Sequence, residues 1–100
     1  MEINKLFDVS GKVVVVTGGS RGIGEMITAG FLANGAKVYI SARKAPALME
    51  KAKELSERYN GECIAIPCDL SNTDGMDYFV QQISENEKGI DYLINNAGAA

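Results

Sequence analysis

Four short apolar runs alternate with three amphipathic stretches along the chain, and glycines stand at the joints. Val13-Val14-Val15-Val16 is a continuous β-branched run, the pattern of a strand buried on both faces of a parallel sheet. Ile23, Met26, Ile27, Gly30 and Phe31 then recur at helical spacing and predict one buried helix face. Asn34-Gly35 ends that helix, and Lys37–Ala42 reads as a second strand. Ala45, Leu48, Ala52, Leu55 and Tyr59 form the stripe of a second helix, with Pro46 in its first turn, where a missing N–H costs nothing. Glu54 and Arg58 pair on the exposed side of that helix.

Asn60-Gly61 closes the second helix, and Cys63–Pro67 gives the third strand. Ser71, with Asp74 three residues on, predicts a capping box for a third helix. Met76, Phe79, Val80 and Ile83 form its stripe, and Gly89 is expected to stop it. Asp91–Asn95 is the fourth strand. The order is β-α-β-α-β-α-β, with every helix long enough to cross between parallel neighbours. That is an α/β fold: a Rossmann-type doubly wound parallel sheet, in its N-terminal portion only.

The chain has 100 residues, 46% of them hydrophobic and 23% charged, which excludes a disordered segment. A net charge of −3 argues against a nucleic-acid binder. No apolar run approaches the ~20 residues of a membrane span, and the first residues lack the basic start of a secretory signal. A cytoplasmic location is the default. Cys63 and Cys68 lie five positions apart, an odd offset that points them to opposite faces of one strand. Neither a disulfide nor a metal pair is expected from them, and the chain has no histidine to complete a zinc site.

Chemistry concentrates between the first strand and first helix, in Thr17-Gly18-Gly19-Ser20-Arg21-Gly22-Ile23-Gly24. Gly18 suits a tight turn, Gly22 a close approach of a diphosphate, and Gly24 close helix–strand packing. The first N–H groups of the helix and the positive end of its dipole favour an anion. A glycine-rich turn can simply join two elements. Following a fully apolar strand and opening an amphipathic helix, this one points to dinucleotide binding. A nucleoside-triphosphate loop is excluded, because no Gly-Lys-Ser/Thr follows.

The Gly-x-x-x-Gly-x-Gly turn, Asp69 after the third strand and Asn95-Asn96-Ala97-Gly98 after the fourth together resemble the short-chain dehydrogenase/reductase family. Within it the turn is similar to those of 3-oxoacyl-acyl-carrier-protein reductases. The stretch from Val15 to Lys44 looks most like the rhamnolipid-biosynthesis branch. The resemblance implies that Gly18, Ser20, Arg21 and Ile23 touch the diphosphate and adenosine phosphate. It implies that Asp69 hydrogen-bonds the adenine amino group, with Leu70 beside it, and that Asn95, Ala97 and Gly98 lie along the nicotinamide ribose. Asp69 could instead be a turn or cap residue, and Asn95 and Asn96 could tie strand ends together.

Where an NAD site would place an acidic residue at the end of the second strand, this chain has Ala42 followed by Arg43 and Lys44. The two cations could be a solvated strand end. Beside the glycine motif they point to the 2′-phosphate of NADP(H).

The family resemblance implies an NADP-dependent oxidoreductase that reduces a ketone or 3-oxoacyl thioester to the alcohol. Its proton would come from a tyrosine in Tyr-x-x-x-Lys, beside a carbonyl-polarising serine. Tyr39, Tyr59, Tyr78 and Tyr92 all lack a lysine four residues on, so no catalytic residue is assigned. Residues 1–100 are expected to be the dinucleotide-binding part of a single domain whose catalytic half is absent. By themselves they should bind cofactor weakly, turn nothing over, and self-associate through the apolar edge Tyr92-Leu93-Ile94. The complete protein should act on a small carbonyl or acyl-thioester substrate as a homo-oligomer, a dimer or tetramer. The alternative is a non-catalytic NADP(H)-binding or sensing module, or an inactive truncated product.

Overall fold

The structure, a computed structural model, describes residues 8–96. Strands β1 (Val13–Thr17), β2 (Lys37–Ala42), β3 (Glu62–Pro67) and β4 (Tyr92–Asn95) alternate with helices α1 (Gly22–Ala33), α2 (Ala45–Tyr59) and α3 (Thr73–Asn86). All pairings are parallel, and the sheet order is β3-β2-β1-β4. The order reverses at β1, which places the switch point of the sheet between β1 and β4.

Strands β1, β2 and β3 supply both faces. Val14, Val16, Val38, Ile40 and Cys63 pack with Leu32 of α1 and Leu48, Ala52 and Leu55 of α2. Val15, Tyr39 and Ile66 pack on the other face with Phe79 and Ile83 of α3. The β-branched run therefore sits in the middle of the sheet with no polar face, as expected of a strand covered on both sides. Cys63 belongs to one face, whereas Cys68 packs on the other, as their odd separation implies. Burial pushes the Cys63 thiol up to about 12. Among the described residues no helix is long and apolar enough to cross a membrane.

The second helix buries Leu48, Ala52 and Leu55 of its stripe and half-buries Tyr59, leaves Ala45 exposed in its first turn, and brings Arg58 to Glu54 at 3.4 Å. Asn60, rather than Gly61, takes the left-handed conformation that ends it, with φ at 50°. The first helix is rolled away from its apolar stripe. Gly24, Thr28 and Leu32 are buried, Ile27 and Phe31 are half-buried, and Ile23 and Met26 stand 69% and 73% exposed. A Cβ at Gly24 would overlap the carbonyl oxygen of Gly18, so the close approach at this glycine sets which side of α1 faces the sheet.

The third helix departs from expectation at both ends. Its N-cap is Asn72, whose Oδ1 accepts from the Gly75 N–H at 2.7 Å; the Ser71–Asp74 capping box does not form. Gly89 does not stop it either: the helix ends at Asn86, with Glu87 in extended backbone. Met76 and Val80 are exposed, leaving Phe79 and Ile83 as the buried pair. Glu87 instead clasps the helix to β2. Its Oε2 accepts from the Tyr39 hydroxyl at 2.6 Å and pairs with Lys37 Nζ at 2.5 Å. Burial, then the Glu87 carboxylate, push the Tyr39 phenol up to about 12.

Candidate functional site

The glycine turn lies at the C-terminal end of β1, where ligands of open parallel sheets collect. A groove of about 440 Å³, lined by Leu32, Gly35, Lys37, Tyr59 and Glu62 among others, opens at the opposite end of the strands. It shares no residue with the turn.

Gly18 and Gly22 adopt positive φ, 68° and 59°, which a side chain would strain. A Cβ at Gly22 would meet nothing within 4 Å, so its glycine is required by conformation, and the space above it is open. Gly24 is the contact glycine described above; its Cβ would also lie 2.6 Å from Asn96 Nδ2. Gly18 thus makes the turn and Gly24 the close helix–strand packing read from sequence, while Gly22 leaves open space above the turn.

A fourth glycine escaped the sequence reading. Gly19 is buried, and a Cβ there would sit 2.5 Å from Ile40 Cγ2 and 2.7 Å from Thr28 Oγ1. Thr28, fully buried, donates its hydroxyl to Gly24 O at 2.9 Å and Gly19 O at 3.3 Å. It braces the turn from inside α1, a role hidden because threonine interrupts the apolar pattern. Losing the hydroxyl in Thr28→Val leaves the Gly19 carbonyl without that donor and is expected to cost ~1–2 kcal/mol, while Thr28→Ser keeps the bond. Urea unfolding of the two variants checks this.

The end of β4 locks onto the same turn. The Thr17 hydroxyl donates to Asn95 Oδ1 at 3.1 Å and accepts the Asn96 N–H at 2.9 Å. Asn96 Nδ2 donates to Gly18 O at 3.3 Å. Asn95 and Asn96 therefore do tie neighbouring strand ends together. Ala97 and Gly98 lie outside the described residues.

The first turn of α1 has no side-chain cap: Arg21 holds the N-cap position in extended backbone and makes no capping hydrogen bond. Ser20 is half-buried, and Arg21 and Ile23 are exposed beside the turn. The Gly18 N–H donates to Ser41 O at 3.1 Å, which fixes the turn against the end of β2. There Ala42 is half-buried, and Arg43 and Lys44 project as exposed cations.

Asp69 and Leu70 stand half-buried past the end of β3. The Cys68 N–H donates to Ala42 O at 3.0 Å, which sets the Asp69 and Arg43 segments side by side. Asp69 Oδ1 accepts the Ser71 hydroxyl at 2.6 Å and the Ser71 N–H at 2.9 Å. These two bonds hold the Asp69 carboxyl below its ordinary value, and Arg43 adds to the effect. The turn role considered from sequence is real. Four strand ends thus bring together Gly18, Gly22, Arg43, Lys44, Asp69 and Asn95.

A parallel 3-2-1-4 sheet with this glycine turn at its switch point is the first half of a doubly wound, Rossmann-type fold. Residues 12–100 match the family described as short chain dehydrogenase, and the chain belongs to that family. It is 46% identical, over 94 residues, to the rhamnolipids biosynthesis 3-oxoacyl-[acyl-carrier-protein] reductase of Pseudomonas aeruginosa, covering 94% of this chain and 36% of that one. Among solved structures, the Pseudomonas aeruginosa RhlG/NADP active-site complex superposes with a TM-score of 0.87 at 47% identity, over 94% of this chain and 37% of that one. L-sorbose reductase from Gluconobacter frateurii, complexed with NADPH and L-sorbose, gives 0.86 at 37% identity, over 92% and 36%. The chain spans little more than a third of the length of these relatives.

Proposed function

We propose that the chain is the NADP(H)-binding N-terminal part of a longer cytoplasmic oxidoreductase that reduces a ketone or 3-oxoacyl thioester to the alcohol. The observation that carries this reading is the juxtaposition, at one end of the sheet, of the open glycine turn with the acid-free, doubly cationic end of β2. The space above Gly22, the uncapped N–H groups of α1 and the two cations fit a ligand carrying a diphosphate and a further phosphate. Relatives of similar fold in complex with NADP or NADPH support the choice of dinucleotide.

When bound, the nicotinamide supplies a hydride to the carbonyl carbon. The chain's own residues bind and orient. Gly18, Ser20, Gly22 and Gly24 shape the diphosphate cradle, and Arg21 and Ile23 flank it. Arg43 and Lys44 take the 2′-phosphate, Asp69 and Leu70 the adenine, and Asn95, Ala97 and Gly98 the nicotinamide ribose. Proton delivery and carbonyl polarisation fall to the rest of the longer protein, and none of the four tyrosines here serves. Tyr39 is buried against Glu87, Tyr59 packs on the core, and Tyr78 and Tyr92 are exposed.

NADPH oxidation by the longer protein, assayed with a panel of ketones and 3-oxoacyl thioesters, tests the reading. Turnover with at least one class is expected. Tight NADPH binding without any turnover would favour the non-catalytic binding module instead.

A further inference from the structure

We infer that Ser71 is a positioning residue for adenine recognition, fixing the Asp69 carboxylate so that it selects a 6-amino purine over a 6-oxo purine. The inference rests on the cofactor reading above and extends it to a residue to which that reading gives no part. Two restraints converge on Asp69. Its backbone is backed by the first turn of α3: a Cβ at Gly75 would overlap the Asp69 carbonyl oxygen, and Asn72 holds that turn through its cap. Its side chain is held by Ser71, whose N–H and hydroxyl both donate to the same oxygen, Oδ1, at 2.9 and 2.6 Å.

Two donors on one oxygen fix the carboxylate's torsion and leave Oδ2 with no hydrogen bond from the described residues. Ionised, that oxygen is acceptor-only. It suits the exocyclic amine of adenine, a donor, and repels the 6-oxo group of hypoxanthine, an acceptor. Without the Ser71 hydroxyl only the backbone N–H still holds Oδ1, and the ligand must complete the ordering of the carboxylate, a cost that lowers affinity by up to about threefold to tenfold for one immobilised side chain. That loss should fall on the adenine cofactor, which makes the bond.

The experiment measures dissociation constants of NADPH and of its hypoxanthine counterpart for the full-length protein by calorimetry. It uses the wild type, Ser71→Ala, Ser71→Thr and Asp69→Ala. Ser71 is exposed, so these variants are expected to fold, and thermal melts confirm it. The wild type is expected to prefer the adenine cofactor. Ser71→Ala should shrink that preference by about threefold to tenfold, through weaker NADPH binding alone, and Ser71→Thr should restore it. Equal losses for both cofactors, or an unchanged ratio, in Ser71→Ala would overturn the inference. If Asp69→Ala abolishes the preference while Ser71→Ala leaves it intact, only the role of Ser71 fails. No preference in the wild type and no effect of Asp69→Ala would remove the adenine assignment of Asp69 and the inference with it.

Discussion

Gly24→Ala is expected to abolish cofactor binding and to destabilise the protein by about 3 kcal/mol or more, the upper range for overpacking an interior. The added methyl would overlap Gly18 O and approach Asn96 Nδ2 at 2.6 Å. The Asn96 amide can swing aside, but the Gly18 carbonyl is backbone and its residue is held by an N–H bond to Ser41 O. Relief therefore requires α1 to move off β1, which drags the turn from its place and parts β4 from it. A domain of marginal stability, ~5–15 kcal/mol in total, feels such a loss strongly. Gly22→Ala supplies the contrast, since its Cβ meets open space. It should cost only the strain of a positive φ, ~1–2 kcal/mol. Urea unfolding followed by NADPH titration of both variants of the full-length protein measures the difference.

The second large effect is on cofactor choice. Arg43→Ala is expected to weaken NADPH binding about tenfold to hundredfold, as loss of one charge-assisted hydrogen bond of ~1.5–3 kcal/mol requires, and to leave NADH binding nearly unmoved. Ala42→Asp should go further. A carboxylate at the end of β2 accepts from the ribose 2′-hydroxyl and repels a 2′-phosphate, so the variant should gain NADH affinity as it loses NADPH. Ala42 is half-buried against the core, so a melt of the aspartate variant belongs beside the titration. Retained NADPH preference in both variants would return Arg43 and Lys44 to the role of a solvated strand end.

Which parts of this architecture could be read in advance follows from the range of the interactions involved. The alternation of strands and helices was legible because a buried parallel strand needs an unbroken apolar run, and Val13–Val16 and Val38–Ile40 supply it. The stripe of α2 was legible because large side chains fill its buried face. The buried face of α1 was hidden by its smallness: a glycine and a threonine face the sheet, and two large apolar residues face outward. Gly19, Thr28 and Gly75 acquire their roles from close approaches that exist only once the chain is folded and that no hydrophobic pattern encodes: Ile40 and Thr28 against Gly19, the Gly19 and Gly24 carbonyls at Thr28, and the Asp69 carbonyl at Gly75. The start of the third helix was not legible because two neighbouring side chains could serve as its cap. The Ser71 hydroxyl serves Asp69, and Asn72, one residue on, takes the cap. Placing Asp69, Arg43 and the glycine turn at one end of the sheet needed only the β-α order, since parallel strands all finish on the same side.

The central claim is that the acid-free, cationic end of β2 makes this an NADP(H) site. Dissociation constants of NADPH and NADH for the wild-type, full-length protein, measured side by side at one ionic strength, test it most directly. NADPH is predicted to bind at least about tenfold more tightly, with the gap narrowing as salt screens the exposed cations. Equal affinities, or tighter binding of NADH, would contradict it.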